Sequence, residues 1–170
     1  MTKLILPKGV KLFVDSDGVF AHFDRNVEER FGYHPDDMDD DKMWELITAN
    51  KDAFWTEMPV MPGAQELWAF LIQFNPTVLT GVNKSHYEEA AAMKRIWWEK
   101  HFGHADVITC LAKDKVLHMA NPGDILIDDF ERNTKRWEKA GGVGIVHTDN
   151  ASTIAQLTAM LVPEGEEASV

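Results

Sequence analysis

A short apolar run that stops on two carboxylates constrains this chain more than any other feature. Leu12, Phe13 and Val14 are strong β-formers in an unbroken row, the pattern of a buried strand. Asp15, Ser16, Asp17 and Gly18 follow at once, and the glycine lets the backbone turn sharply away. Side chains alternate at a strand end, so Ser16 is expected to point away from its neighbours while Asp15 and Asp17 converge on one pocket. Open α/β sheets place their ligands at that carboxyl edge. Two carboxylates a few Å apart repel by roughly 4 kcal/mol at an effective dielectric near 20, so the pair implies a bound cation, a shared proton, or both. A solvated Asp-Ser-Asp-Gly turn is the plain alternative, and the rest of the chain weighs against it.

Further strands recur at regular intervals. Thr77–Thr80, Asp106–Cys110, Asp124–Asp128 and Gly144–His147 read as buried strands. Between them lie the helical patterns Ala64–Phe74, Ser85–His101, Glu131–Ala140 and Ala151–Leu161, and an acidic, frayed tail is expected after Pro163. Strands alternating with helices predict an α/β fold, a parallel sheet of about five strands covered on both faces. The stretch between the first two strands is too long for one crossover helix. It holds helical patterns at Val19–Phe31 and Lys42–Thr48 and an irregular piece, Asn50–Met61. Residues 19–63 are therefore read as a small helical cap, inserted into a core of residues 1–18 and 64–170. The acid run Asp36–Asp41 lacks the glycine and terminal glutamate of a calcium loop and reads as a solvated lead-in to a helix.

Composition narrows the function. A net charge of −11 argues against a nucleic-acid polymer as partner, yet leaves room for a small phosphorylated molecule beside a metal and a lysine or two. The one cysteine, Cys110, excludes an internal disulfide and suits a reducing compartment. Leu4-Ile5-Leu6 is cut by Pro7 and Lys8, short of an apolar leader core, and no segment is long enough to span a membrane. A cytoplasmic location is expected.

Asp15/Asp17, Thr80, Lys115 and Asp128/Asp129 all fall at or just past strand ends, and parallel strands share one carboxyl edge. A carboxylate can attack phosphorus, a second carboxyl group can protonate the leaving oxygen, and a hydroxyl and an ammonium can hold the phosphoryl oxygens. A further carboxylate can hold Mg²⁺.

The order Asp-x-Asp-Gly-Val, strand-end Thr, Lys, Asp-Asp resembles the haloacid dehalogenase (HAD) superfamily, and within it the 5′(3′)-deoxyribonucleotidases. Asp17-Gly-Val-Phe-Ala-His-Phe23, Met61-Pro-Gly-Ala64, Lys94-Arg-Ile-Trp-Trp-Glu-Lys-His-Phe-Gly103, Lys113-Asp-Lys115 and Ile125-Leu-Ile-Asp-Asp129 carry the likeness. The resemblance implies a Rossmann-like fold and a Mg²⁺-dependent phosphomonoesterase working through an aspartyl-phosphate. Asp15 would be the nucleophile and Asp17 the general acid/base. Thr80, Gly81, Lys115 and secondarily Lys94 would bind phosphate, with Lys113 a rival to Lys115. Asp15, Asp128, Asp129 and, through its backbone carbonyl, Asp17 would surround the metal, Asp129 being preferred over Asp128 as direct ligand.

Gly81 stands where relatives commonly carry a serine, and Phe130 where an arginine often follows the acidic pair. For the cap, Phe23, Trp44, Phe54 and Trp55 are candidates to stack a nucleobase, against the alternative that they are its core. Trp97, Trp98 and Trp137 read as helix packing. A (deoxy)nucleoside monophosphate is the expected substrate. Another small metabolite, or a nucleic-acid 3′-phosphate, is the alternative. A signalling phospho-acceptor domain uses a similar residue set, but with its acidic pair before the phosphorylated aspartate. The oligomeric state stays open, a homodimer included.

Overall fold

A computed structural model describes residues 1–166. Its centre is a five-stranded sheet formed by β2 (Leu12–Val14), β3 (Thr77–Gly81), β4 (Asp106–Cys110), β5 (Ile125–Asp128) and β6 (Val143–Val146). The spatial order is β4-β3-β2-β5-β6 and every pairing is parallel. Val14 lies opposite both Val78 and Ile127, so the ends of β2, β3 and β5 meet at one edge. The chain leaves β2 towards β3 on one side and returns to β5 on the other. The end of β2 is thus the place where the winding reverses and a crevice opens.

Helices cover both faces, as expected, and strand alternation decides what each face touches. Leu12, Val14, Val78, Ile125 and Ile127 pack with α4 (Ala64–Leu71), α5 (Tyr87–Phe102) and α7 (Asn150–Thr158) through Leu67, Leu71, Trp98 and Leu157. Phe13, Leu79, Cys110 and Leu126 face the other way, onto Trp137 of α6 (Glu131–Lys139). Phe13 and Trp137 meet edge-on with ring centroids 5.3 Å apart.

Between β2 and α4 run α1 (Phe23–Phe31), α2 (Asp40–Ala49) and α3 (Lys51–Thr56). Phe20, Ile47, Phe54, Trp55 and Met58 of this stretch belong to the same apolar cluster as the sheet and α4 and α5. The inserted helices share the core with the sheet.

Local boundaries differ from expectation for identifiable reasons. Residues 19–21 are not helical, because the Ser16 carbonyl gathers the amides of Val19, Phe20 and Ala21 into a tight turn. The irregular piece contains α3, which begins directly at the C-cap of α2 and has no separate start signal. The acid run enters α2, with Asp39 as its N-cap accepting from the Lys42 amide. Two-residue strands β1 (Leu4–Ile5) and β7 (Val162–Pro163) pair antiparallel, and the Glu164 amide bonds to the Lys3 carbonyl. The chain just after Pro163 is therefore tied down; the rest of the expected frayed tail, 167–170, lies outside the described residues. No helix among the described residues is long and apolar enough to cross a membrane.

Candidate active site

The Asp15 amide donates to the Ile127 carbonyl at 2.8 Å, which carries the sheet ladder one residue past β2 and fixes the first carboxylate on the edge. Ser16 turns inwards, accepting from Trp98 Nε1 at 2.9 Å, so Trp98 is packing that also pins the turn between Asp15 and Asp17. Gly18 has φ +79°, which a side chain rarely adopts, and a Cβ there would lie 2.0 Å from Asp129 Oδ2. Glycine at this point is what allows the acid loop and the acidic pair to touch.

Two buried lysines divide the carboxylates between them. Lys115 Nζ lies 2.9 Å from Asp15 Oδ1 and 2.7 Å from Asp128 Oδ2. It sits in a 3₁₀ segment, Ala112–His118, whose tight turn sends Lys113 outwards to solvent and Lys115 inwards. That removes Lys113 as a rival. Lys94 Nζ lies 2.5 Å from Asp17 Oδ2 and 2.9 Å from Thr80 Oγ1. Lys94 is only 3% exposed, although a lysine in mid-helix ordinarily lies on a solvated face. The signal was present: Ala90, Lys94, Trp97 and Trp98 share the i, i+4, i+7, i+8 face of α5, and that face is buried.

The acidic pair separates by environment. Asp128 is sealed in: Oδ1 accepts from the Phe130 amide, and Oδ2 from Lys115 and Asn133 Nδ2. Asp129 is solvent-accessible, and among the described residues no cationic side chain reaches it. Burial and the charge of Asp15 push Asp128 up to about 6 despite Lys115. Low-dielectric surroundings, then the charges of Asp15, Asp128 and Asp17, push Asp129 up to about 8 although it keeps contact with water. Burial, and Asp15 beside it, likewise raise Asp17 above the ordinary carboxylate range against the pull of Lys94. Burial disfavours the Lys115 ammonium, but Asp15 and Asp128 outweigh it and leave the lysine firmly charged.

One oxygen each of Asp15, Asp128 and Asp129 lies within 4.8 Å of the others. All are hard carboxylate oxygens, and Asp129 has no cationic partner among the described residues, so this set fits a hard cation such as Mg²⁺. Asp129 and Asp15 have oxygens to give, whereas Asp128 is committed to Lys115, Asn133 and a backbone amide. The Asp17 carboxylate is held by Lys94 and stands outside this trio of side chains.

Of these groups, Asp15, Asp17, Lys115 and Asp129 line a cavity of about 340 Å³, while Asp128, Lys94 and Thr80 lie behind its wall. Gly81 also lines the cavity, and a Cβ there would lie 3.3 Å from that of Ala112, so a larger residue would need Ala112 to give by a few tenths of an ångström. Of the cap aromatics, Phe23, Trp44 and Trp55 line the cavity, with Phe23 and Trp44 centroids 6.1 Å apart. Phe54 does not line it. It is fully buried behind the slot, parallel to Phe31 and edge-on to Trp55, and belongs to the packing of the inserted helices. Sequence reasoning missed Asn133, which sits on the first turn of α6 and steadies Asp128, and Asp24, Asn83 and Phe130 on the cavity wall. The sequence of α6 is polar almost throughout, so nothing in it marked Asn133 off from its neighbours.

No family model matches this sequence, and no curated protein matches it. Among solved structures the chain is similar to a HAD family hydrolase from Deinococcus radiodurans R1 with bound phosphate and sodium, at 12% identity and TM-score 0.48, over 86% of this chain and 87% of that one. It is also similar to a putative beta-phosphoglucomutase from Thermotoga maritima, at 14% identity and TM-score 0.46, over 88% and 91%. A third is a D,D-heptose 1,7-bisphosphate phosphatase from Burkholderia thailandensis, at 12% identity and TM-score 0.45, over 87% and 97%.

Proposed function

We propose that this chain is a HAD-type, Mg²⁺-dependent phosphomonoesterase that works through an aspartyl-phosphate on Asp15, and that its substrates are (deoxy)nucleoside monophosphates. The observation that carries the reading is the asymmetric treatment of Asp15. Its Oδ1 accepts from both the Ser16 amide and Lys115, while Oδ2 has no donor among the described residues, and the residue lines the cavity. A carboxylate held by one oxygen with the other uncommitted is oriented for attack.

In the first half-reaction an Asp15 oxygen forms a bond to phosphorus, the bond to the leaving oxygen breaks, and Asp17 gives that oxygen its proton. In the second, water attacks phosphorus and passes a proton to Asp17. The bond to Asp15 then breaks and inorganic phosphate is released. Lys115 offsets charge on Asp15 and on the phosphoryl group together, while Asp128, itself held by Asn133, keeps Lys115 in place. Gly81, at the end of β3, lines the cavity and would offer its backbone to the phosphoryl group, whereas Thr80 beside it is fully buried, does not line the cavity, and holds Lys94 through its hydroxyl. Mg²⁺ held by Asp15 and Asp129 would neutralise the phosphoryl oxygens and let Asp15 approach them. Residues 19–63 act as the cap, with Phe23, Trp44 and Trp55 as the slot for a flat base.

The test is release of inorganic phosphate from a panel of phosphomonoesters, with Mg²⁺ and after chelation. Nucleoside monophosphates should lead the panel. Asp15→Asn preserves shape and should lower turnover by at least about 10³ with the fold intact by circular dichroism. Near wild-type turnover in that variant would end the aspartyl-phosphate reading.

A further inference from the structure

Lys94 has a setting that phosphate binding does not account for. Its ammonium lies between Asp17 Oδ2 and Thr80 Oγ1, and 4.7 Å from the centroid of the Trp55 ring. Two hydrogen bonds and an aromatic face occupy a group with three donors. Behind it, Asp17, Trp55, Met58, Lys94 and Trp97 enclose a void of only about 10 Å³, room for one water at most. Trp55 is in turn fixed from the far side. Its Nε1 donates to His86 Nε2 at 2.9 Å, and His86 Nδ1 lies 2.8 Å from Ser85 Oγ and 3.2 Å from Thr48 Oγ1. A contiguous chain therefore runs from α2 through His86, Trp55 and Lys94 to Asp17. Trp55 also lines the substrate cavity, so a ligand in the slot rests on the ring that seats the lysine.

We propose, resting on the phosphatase reading above, that Lys94 is a positioning residue for the proton-transfer group Asp17, and that Trp55 is the cap's contact through which substrate binding steadies that position. Lys94 ties Oδ2 of Asp17 to the end of β3 through Thr80. Oδ1 has no donor among the described residues, which leaves it as the oxygen that carries the proton. The ammonium is spent on orientation.

Leaving-group dependence separates this role from phosphate binding. An alkoxide leaves only with a proton from Asp17, whereas p-nitrophenolate departs without one. The value of kcat/KM reports the half-reaction up to departure of that group. Purified Lys94→Met and Trp55→Leu are compared with wild type on glycerol phosphate and p-nitrophenyl phosphate, each variant first checked by thermal melting. Lys94→Met should lose at least about tenfold more kcat/KM on the alkyl ester than on the aryl ester. Trp55→Leu should shift the ratio the same way by a smaller factor, and it stands alone as the test should Lys94→Met not fold. Equal losses on both esters would make Lys94 a phosphate ligand and overturn the inference, as would no loss on either. A wild type inactive on every phosphomonoester would end the phosphatase reading itself, a result distinct from an active enzyme with equal losses.

Discussion

Gly18→Ala tests the metal site with the smallest change the chain allows. At φ +79° an alanine costs roughly 1–2 kcal/mol of backbone strain. The larger effect is local. The new methyl would lie 2.0 Å from Asp129 Oδ2 and 2.4 Å from its Cγ, where ordinary contact starts at 3.4 Å. The carboxylate must retreat by about 1.4 Å, the difference between those distances. Asp129 is a solvent-accessible side chain and can swing away, so the fold survives. A metal ligand is less forgiving, because Mg²⁺ needs oxygens at about 2.0–2.1 Å in near-octahedral array and functional geometry tolerates about 0.5 Å. Even indirect disturbance of such sites costs about 10–100-fold in metal affinity, so the Mg²⁺ concentration for half-maximal activity should rise at least that far. The assay is phosphate release against Mg²⁺ concentration, paired with thermal melts with and without the ion. A variant with wild-type Mg²⁺ dependence would refute Asp129 as a ligand.

Three further outcomes follow from the same site. Lys115→Met strands Asp15 and the fully buried Asp128 without their shared cation, so urea melts at pH 8 should show a loss of about 3–5 kcal/mol; a loss under about 1 kcal/mol would contradict the pairing. In the metal-free protein Asp129 is raised from 3.8 to about 8, so it favours the fold fully below about pH 4 and this contribution is lost as pH rises through 8. Mg²⁺ binds the ionised form, so the rise in Tm it causes should be larger near pH 8 than near pH 5, and an equal rise at both would contradict the assignment. Phe23→Ala or Trp44→Ala should erase most of the advantage of nucleoside monophosphates over ribose 5-phosphate, roughly five- to 150-fold for a stacking contact of about 1–3 kcal/mol. Equal loss of kcat/KM on both substrates would make those rings packing alone.

The order of strands and helices, and the edge on which Asp15, Asp17, Thr80, Lys115 and the acidic pair meet, were legible in the sequence. The reason is physical: strand composition and helix period are local, and parallel strands joined by helices must bring their carboxyl ends together. Which oxygen, lysine or ring serves the site was not local. Asp128 and Asp129 are chemically identical neighbours, and only the lysine, asparagine and amide packed around Asp128 make it internal and leave Asp129 outward. Lys113 and Lys115 differ by one 3₁₀ turn, which sends one to water and the other between two carboxylates. Phe54 and Trp55 are adjacent in sequence, yet the docking of α3 on α5 gives the cavity to Trp55 and the interior to Phe54. Lys94 shows the division most clearly. The sequence places it on the same helical face as Trp97 and Trp98, but what that face meets was decided by packing. Only the fold could set its ammonium against Asp17, Thr80 and the ring of Trp55.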